Sequence, residues 1–243
     1  MLKEMRRRLT TIAALRTVWR VMRRWLHPHH RALRVVERAH PGRLLQPSQY
    51  TAVERYPAIF DQVALYLSCF PAPEVLSYGC SSGEEVFSLR RRLLNARITG
   101  VDINPRNLAK AQRKLRTAPD PGLSFRQASD PADLGHAPSY DAVLCFAVVR
   151  HGDLSAAPPD CNSVFPFEKA EAFVTRLAAL VRPGGFLALW HVHFRLSDMA
   201  ISSAFEPVFD LADDVDANQP LYGPGGARIL DKVCTTAIYR KRR

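Results

Sequence analysis

The 243-residue sequence has no long apolar run and no closely spaced cysteine pair. A membrane-spanning helix needs roughly 18 consecutive apolar residues, and no stretch approaches that length. The five cysteines, at positions 69, 80, 145, 161 and 234, form no CxxC pair, and their odd number predicts reduced thiols. Apolar residues make up 47% and charged residues 23%, which excludes a wholly disordered or collagen-like chain. Because the start also lacks the apolar core of a secretory signal, we expect a cytoplasmic location, and an organelle transit peptide, which can also begin as an Arg-rich amphipathic segment, stays open as the alternative.

The net charge of +11 is concentrated near the first residue. Residues 1–45 hold twelve Lys and Arg and two acids, whereas the other 198 residues hold 22 basic and 21 acidic groups. Apolar residues recur at spacings of three and four from Leu2 to Leu26, which predicts one apolar stripe on an Arg-rich helix. We therefore divide the chain into a basic amphipathic helical arm, 1–44, and a body, 45–243.

Three kinds of partner fit the basic arm. An Arg-rich helix with two Trp suits peripheral contact with an anionic membrane surface. Its apolar stripe equally suits docking onto the body or onto a protein partner, and these two interpretations stay open. Phosphate contacts with nucleic acid are the least favoured, because the body lacks interleaved aromatic and basic residues and any known RNA-binding module.

The body alternates predicted strands with predicted helices. Strands are predicted at 74–78, 96–101, 123–127, 140–149 and 186–192, with helices at 84–94, 105–115 and 167–181 between them. Wholly apolar strands separated by helices indicate a parallel sheet covered on both faces, so the predicted fold class is α/β, doubly wound and mostly parallel. A further helix is expected at 57–69, after a capping box at 51–54, and two more strands at 207–211 and 233–240.

The loop after the first strand is the leading candidate for a ligand site, because doubly wound sheets bind ligands beyond their strand ends. It reads Gly79-Cys80-Ser81-Ser82-Gly83. Gly79 permits a tight turn, and Gly83 lets the next helix begin close to a ligand. Asp102 stands nineteen residues later, where a carboxylate can accept hydrogen bonds from both hydroxyls of a ribose. The loop would also fit a nucleophile elbow with Ser81 attacking, but such an enzyme needs no acid at Asp102.

Five ordered motifs in residues 74–192 resemble those of class I S-adenosylmethionine-dependent methyltransferases. They are the loop Gly79–Glu85, Val101–Asn104, Phe125–Asp130, Tyr140–Val149 and Leu180–Leu189. The loop is similar to the variant of chemotaxis receptor glutamate methyltransferases, and residues 40–243 resemble bacterial members of the superfamily. The resemblance implies a Rossmann-like, seven-stranded sheet, S-adenosyl-L-methionine as cofactor, and methyltransferase activity.

The resemblance also implies which residues hold the cofactor. These are Gly79, Cys80, Ser81, Gly83, Asp102, Ile103, Asp130, Cys145 and Phe146. By family analogy, Asp102 would bind the ribose and Asp130 the adenine amino group, although an Asp in a loop before Pro131 is also ordinary turn chemistry. The family often has an acid at the position of Ser77. Glu84 and Glu85 are the candidates to replace it, although acids are also simply favourable in a first helical turn.

Catalytic residues are harder to predict, because methyl transfer depends mainly on orientation and needs a base only for a protonated, weakly acidic acceptor. The candidates are His151 after the fourth strand, and His191 and His193 after the fifth, with structural roles as the commoner alternative. His191 and His193 share a strand face and could pair on a metal, but no third ligand of suitable spacing follows, so no metal site is predicted.

The acceptor is predicted to be a small molecule. The segments 151–166 and 193–206, where acceptor specificity would be built, are too short for a macromolecular platform. Tyr50, Arg55 and Tyr56 are candidates for covering the pocket. Two alternatives stay open: a non-catalytic scaffold that binds S-adenosylmethionine, and a protein carboxyl methyltransferase of the chemotaxis type, which the loop sequence suggests.

Overall fold

The computed structural model describes residues 28–211, 219–230 and 232–243, and the chain divides into two compact units, Met1–Gly42 and Arg43–Arg243. The first unit contains helix α1 (Pro28–Ala39), after which the backbone N–H of Gly42 donates to Oε1 of Glu37 (2.9 Å). The apolar stripe predicted for residues 2–26 lies outside the described residues.

The second unit alternates strands and helices and then ends in antiparallel pairs. Its elements are α2 (Pro57–Leu67), β1 (Glu74–Tyr78), α3 (Glu84–Arg90), β2 (Arg97–Asp102), α4 (Pro105–Thr117), β3 (Leu123–Gln127), β4 (Tyr140–Phe146), α5 (Phe167–Ala179), β5 (Val181–Trp190), β6 (Phe205–Asp210), β7 (Leu221–Tyr222), β8 (Arg228–Ile229) and β9 (Thr236–Lys241). Every strand and helix predicted between residues 74 and 192 is present. Within the described residues, no helix is both long and apolar enough to cross a membrane.

Seven of these strands form one sheet in the order β3-β2-β1-β4-β5-β9-β6. The strands from β1 to β5 pair in parallel, and β9 pairs antiparallel with both β5 and β6. This topology confirms the doubly wound, mostly parallel seven-stranded sheet. The chain order reverses between β1 and β4, so the crevice beyond their carboxyl ends is the expected ligand site.

The sheet is covered on both faces, as its wholly apolar strands predict. Every residue of β4 is buried, and neighbouring residues along it face opposite sides. Val143 packs in a cluster with Val174 and Leu177 of α5, whereas Leu144 packs in the cluster that contains Phe60 of α2. The core therefore consists of two apolar layers, and the ends of the buried strands are held firmly in place.

The start of α2 differs from the prediction. The predicted capping box at 51–54 does not form, and the N-cap residue, Tyr56, makes no side-chain capping bond. Glu54 has a left-handed φ of 55°, its N–H donates to Oγ of Ser88 (3.1 Å), and its carboxylate pairs with Arg92 (2.7 Å). The prediction was wrong because Ser88 of α3 and Arg92, just after it, bind the N–H and the carboxylate of Glu54 that the capping box would have used.

Candidate functional site

A cavity of about 370 Å³ lies at the carboxyl ends of β1, β2 and β4. The loops after these strands form part of its lining, and the rest comes largely from residues 43–56, which we call the wall segment. Six of the residues predicted to hold the cofactor line the cavity: Gly79, Cys80, Ser81, Asp102, Ile103 and Phe146. The structure thus brings most of the predicted site together, whereas Gly83, Asp130 and Cys145 lie outside the lining.

The loop after β1 turns sharply because three of its residues adopt left-handed backbone conformations. The φ angles are 81° at Gly79, 50° at Ser81 and 88° at Gly83. The N–H groups of Gly79 and Cys80 both donate to the carbonyl oxygen of Val101 in β2 (2.7 and 2.9 Å), which ties the loop to the neighbouring strand. Gly83 is the N-cap of α3 and packs beside Phe125, so its role is to start the helix.

Asp102 is buried at the end of β2, where its carboxylate joins two loops. Its Oδ2 accepts the N–H of Ser81 (2.9 Å), and its Oδ1 accepts the N–H of Asn104 (2.7 Å). Burial is the largest influence on the pKa of Asp102 and raises it, while donors from Asn104, Ser81 and Asn107 act to lower it. A carboxylate offers about four lone-pair positions, so Asp102 keeps acceptor capacity toward the cavity.

Asn104 places a second polar side chain at the same edge, and sequence reasoning missed it. Its Oδ1 accepts the N–H of Arg106 (3.0 Å), which caps α4, and the side chain is almost fully buried. Its Nδ2 lacks a hydrogen-bond partner in the described part of the chain. A buried donor without an acceptor costs about 1–3 kcal/mol, so a bound ligand with an acceptor atom here would be stabilised. In the sequence, Asn104 ends the motif Val101–Asn104 and precedes Pro105, which indicates a helix start.

Glu85 is the acid that stands beside Ser77. The Ser77 hydroxyl, buried in β1, donates to Oε1 of Glu85 (2.7 Å), and Glu85 lines the cavity. Removal from solvent raises the pKa of Glu85 to about 7, and the Ser77 hydroxyl and the positive charge of Arg55 offset only part of that effect. Glu84, the other candidate, bonds to the hydroxyl of Ser82 (2.8 Å) and does not line the cavity.

Asp130 is enclosed by positive charge and lies outside the cavity lining. Its Oδ1 accepts the N–H of Ala132, and Arg176 of α5 donates to both carboxylate oxygens (2.8 and 2.9 Å). Arg43, the first residue of the wall segment, also pairs with this carboxylate. Ser129 lines the cavity beside it. The adenine role of Asp130 stays a prediction, and its observed contacts anchor the wall segment to α5.

Phe146 and Cys145 lie on opposite faces of β4, so only one of the two reaches the cavity. The ring of Phe146 meets the ring of Tyr56 edge to face, with 5.1 Å between centroids. Cys145 is fully buried in the apolar cluster on the α5 side of the sheet. Strand alternation separates the two side chains, and Phe146 is the one placed to contact a ligand.

His151 and His193 have structural contacts and do not line the cavity, although Arg150 and Gly152, on either side of His151, do. Nδ1 of His151 accepts the N–H of Asp153 (3.2 Å) at the start of a short 3₁₀ helix. The buried ring of His193 lies between two carbonyl oxygens, that of Pro220 (2.8 Å) and that of His151 (3.1 Å), and burial lowers its pKa. In the regions that the structure describes, no group of three or more His, Cys, Asp or Glu could hold a metal ion.

His191 does not line the cavity but contacts a residue that does. Its Nδ1 lies 2.9 Å from the Tyr56 hydroxyl, and Tyr56 lines the cavity. Tyr50 and Arg55, which the sequence suggested as covering residues together with Tyr56, line the cavity as well. The guanidinium carbon of Arg55 lies 5.1 Å from the ring centroid of Tyr50 and 5.0 Å from that of Tyr56.

Curated proteins with similar sequences are methyltransferases. The chain is 32% identical over 115 residues to the ubiquinone biosynthesis O-methyltransferase of Albidiferax ferrireducens, covering 47% of this chain and 39% of that protein. It is 33% identical over 138 residues to the trans-aconitate 2-methyltransferase of Methylobacterium nodulans, covering 57% of this chain and 45% of that protein. The chain spans less than half the length of these relatives.

Among solved structures, the magnesium protoporphyrin IX methyltransferase of Synechocystis PCC 6803 with bound S-adenosylmethionine aligns over 89% of this chain and 85% of its own. The TM-score is 0.49 and the sequence identity is 19%. A family model described as a methyltransferase domain matches residues 76–187. This match covers the loop after β1, Asp102 and β4, which together frame the cavity. Residues 76–187 therefore resemble a methyltransferase domain.

Proposed function

We propose that this protein transfers a methyl group from S-adenosylmethionine to a small-molecule acceptor. The observation that carries the proposal is the cavity, where the loop after β1, Asp102 and Phe146 meet at the ends of three parallel strands. The names of the curated relatives, which concern ubiquinone biosynthesis and trans-aconitate, support a small acceptor.

The residues around the cavity fit S-adenosylmethionine. Asp102 can accept hydrogen bonds from the ribose hydroxyls, and Nδ2 of Asn104 is a buried donor that lacks a partner in the described chain. Ile103 offers an apolar surface for the adenine ring. Glu85 provides a carboxylate for the ammonium group of the methionine part. Gly79 and Val148 both line the cavity, and they pack so closely that a side chain at Gly79 would collide with Val148.

The protein's contribution to the reaction is binding, orientation and exclusion of water. When bound, the cofactor supplies an activated methyl group on a positively charged sulfur. Tyr56 and Phe146, packed edge to face, form an apolar surface of the cavity, and the wall segment lies beside them. Holding the acceptor in line within an enclosed site accounts for much of the rate in such reactions.

Binding of the demethylated product, S-adenosylhomocysteine, by the full-length chain tests the proposal directly. We expect a saturable calorimetric signal with micromolar affinity, and the absence of binding would contradict the proposed function. Incubation with methyl-labelled cofactor and a small-molecule extract then separates the alternatives. Label in the small-molecule fraction supports the proposal, base-labile label on protein would indicate a carboxyl methyltransferase, and binding without any transfer would indicate a scaffold.

Glu85 predicts a pH dependence of product affinity. Below pH 7 its carboxyl is mostly protonated, and above pH 7 it is ionised and attracts the product's ammonium group. Affinity should therefore rise by about tenfold between about pH 6 and pH 8, because the ionised fraction of a group with a pKa near 7 rises about tenfold over that range. Calorimetry with Glu85→Gln should show weaker binding with a flat profile. Glu84→Gln, outside the cavity lining, should keep the wild-type profile; a pH dependence that survives in Glu85→Gln would contradict this role.

The cytoplasmic location and the partner of the basic arm stay predictions. Arm residues 1–27 lie outside the described part of the chain. Binding of the full-length protein to vesicles with and without anionic lipid would separate the membrane interpretation from docking onto protein.

A further inference from the structure

We propose that Tyr56 and His191 form a proton relay, and that the acceptor is therefore a compound with a protonated hydroxyl group, such as a phenol. This inference rests on the proposed methyl transfer. It adds a catalytic residue to the site, Tyr56, which lines the cavity, and a proton acceptor behind it, His191.

The geometry of the pair suits proton transfer. The hydroxyl of Tyr56 lies 2.9 Å from Nδ1 of His191, within hydrogen-bond distance, and the two rings meet edge to face with 5.5 Å between centroids. The ring of Tyr56 is also packed against Phe146, and the side chain is 4% exposed. Tyr56 lines the cavity and its hydroxyl is hydrogen-bonded to His191, and a hydroxyl in such a pair can accept a proton from one partner as it gives one to the other.

The backbone at His191 is bent in a way that places its ring behind Tyr56. Its φ is 53°, and Ala147, which follows β4, has a φ of 56°. The N–H of Ala147 donates to the carbonyl oxygen of Trp190 (2.9 Å), so the ends of β4 and β5 are joined at this point. Non-glycine residues held in left-handed conformations are strained and cluster at functional sites. Strain at both strand ends is the second observation in favour of the relay.

The positive charge of Arg55 favours the proton transfer. Its guanidinium lies 5.0 Å from the ring centroid of Tyr56, and its Nη1 donates to the carbonyl oxygen of Tyr50 (3.0 Å), which fixes the group in place. As the proton leaves the acceptor, negative charge passes through the hydroxyl of Tyr56. A nearby cation in a partly enclosed cavity stabilises that charge more strongly than it would in water.

The proposed step balances in atoms and charge. Tyr56 Oη takes the proton of the acceptor hydroxyl as it passes its own proton to Nδ1 of His191, which becomes a cation. The acceptor oxygen then forms its bond to the methyl carbon while the carbon–sulfur bond breaks, and the bonding electron pair stays with sulfur. No further reactant is needed.

The relay favours a hydroxyl over a carboxylate acceptor. A carboxylic acid with an ordinary pKa near 4 is already ionised at neutral pH and needs no base, whereas a phenol with a pKa near 10 does. A buried tyrosine–histidine pair beside the reacting group would serve no purpose for a carboxylate.

Two phenolic probes that differ in acidity test the inference. Catechol is protonated at neutral pH, whereas the nitro group of 4-nitrocatechol makes it ionise near neutral pH, so only catechol needs a base. We expect the full-length wild-type protein to methylate both slowly. Tyr56→Phe and His191→Asn should lose about 100-fold or more of the rate with catechol and keep the rate with 4-nitrocatechol. Asparagine is chosen because it tolerates the left-handed conformation at this position.

A merely structural role would lower both rates together, so an equal loss with the two probes would overturn the relay. Tyr66→Phe is the matched control, since the Tyr66 hydroxyl donates to the carbonyl oxygen of Val208 and does not line the cavity. Calorimetric binding of S-adenosylhomocysteine in the same preparations distinguishes failure of the relay from failure of the proposed function. Binding without transfer to catechol by the wild type would overturn this inference alone, whereas loss of binding in the wild type would overturn the proposed function as well.

Discussion

Replacing Asp102 with alanine should lower the affinity for S-adenosylhomocysteine by about 100-fold or more. Each hydrogen bond to a charged group contributes about 1.5–3 kcal/mol, and on the proposed function the carboxylate accepts one from each ribose hydroxyl. The same substitution leaves the N–H groups of Ser81 and Asn104 without their acceptor, which loosens the loop after β1. Calorimetric titration of the full-length variant measures the loss.

The matched control for this substitution is Asp153→Ala. Its side chain is 80% exposed and does not line the cavity, so the affinity should stay at the wild-type value. Thermal unfolding of both variants shows whether a change in affinity reflects the fold. Unchanged affinity in Asp102→Ala with an intact fold would remove Asp102 from the cofactor site.

Replacing Gly79 with alanine should both destabilise the protein and abolish product binding. At a φ of 81°, a residue with Cβ costs about 1–2 kcal/mol, and the new Cβ would lie far inside contact distance of Cγ2 of Val148. Overpacking adds about 1–3 kcal/mol, so we expect the free energy of unfolding to fall by about 2–5 kcal/mol. Chemical denaturation of wild type and variant measures this fall.

Two further variants separate the two causes of the lost stability, which are the left-handed backbone and the collision with Val148. Gly225 has a φ of 77° and open space around it, so Gly225→Ala should show only the conformational part of the loss. The double variant Gly79→Ala/Val148→Ala should regain the part due to the collision, which a double-mutant cycle would detect as coupling between neighbours. Independent, additive effects of the two substitutions would show that the collision is relieved by movement of the loop.

The fold and the strand-end loops of the cavity could be predicted because their signals are local. The apolar runs that became β1 to β5 are continuous in sequence, and so are the loop from Gly79 to Gly83 and the pair Asp102-Ile103. Asp102 could be placed from its spacing after Gly83, since two adjacent parallel strands end side by side. Cys145 and Phe146 could have been separated too, because neighbouring residues of a strand face opposite sides.

The remaining site residues depend on contacts between distant parts of the chain. Tyr56 and His191 are 135 residues apart, and only the folded sheet shows that they touch. Whether Glu84 or Glu85 replaces the family's acid at the position of Ser77 depends on which carboxylate contacts the buried hydroxyl of Ser77. Asp130 matched a family motif, but its carboxylate is taken by Arg176 and Arg43, which no local pattern connects to it.

The wall segment can change in sequence separately from the loops after the strands, which form the other part of the cavity lining. Residues 43–56 lie before the matched domain, 76–187, yet they provide a large share of the cavity lining. The Ser81 hydroxyl of the glycine loop donates to the carbonyl oxygen of Gln49 (3.2 Å), and because this contact uses only the backbone of the wall segment, side-chain substitutions there can reshape the cavity. On the proposed function, we expect acceptor preference among proteins that share this domain to follow the sequence of this short stretch more closely than overall similarity.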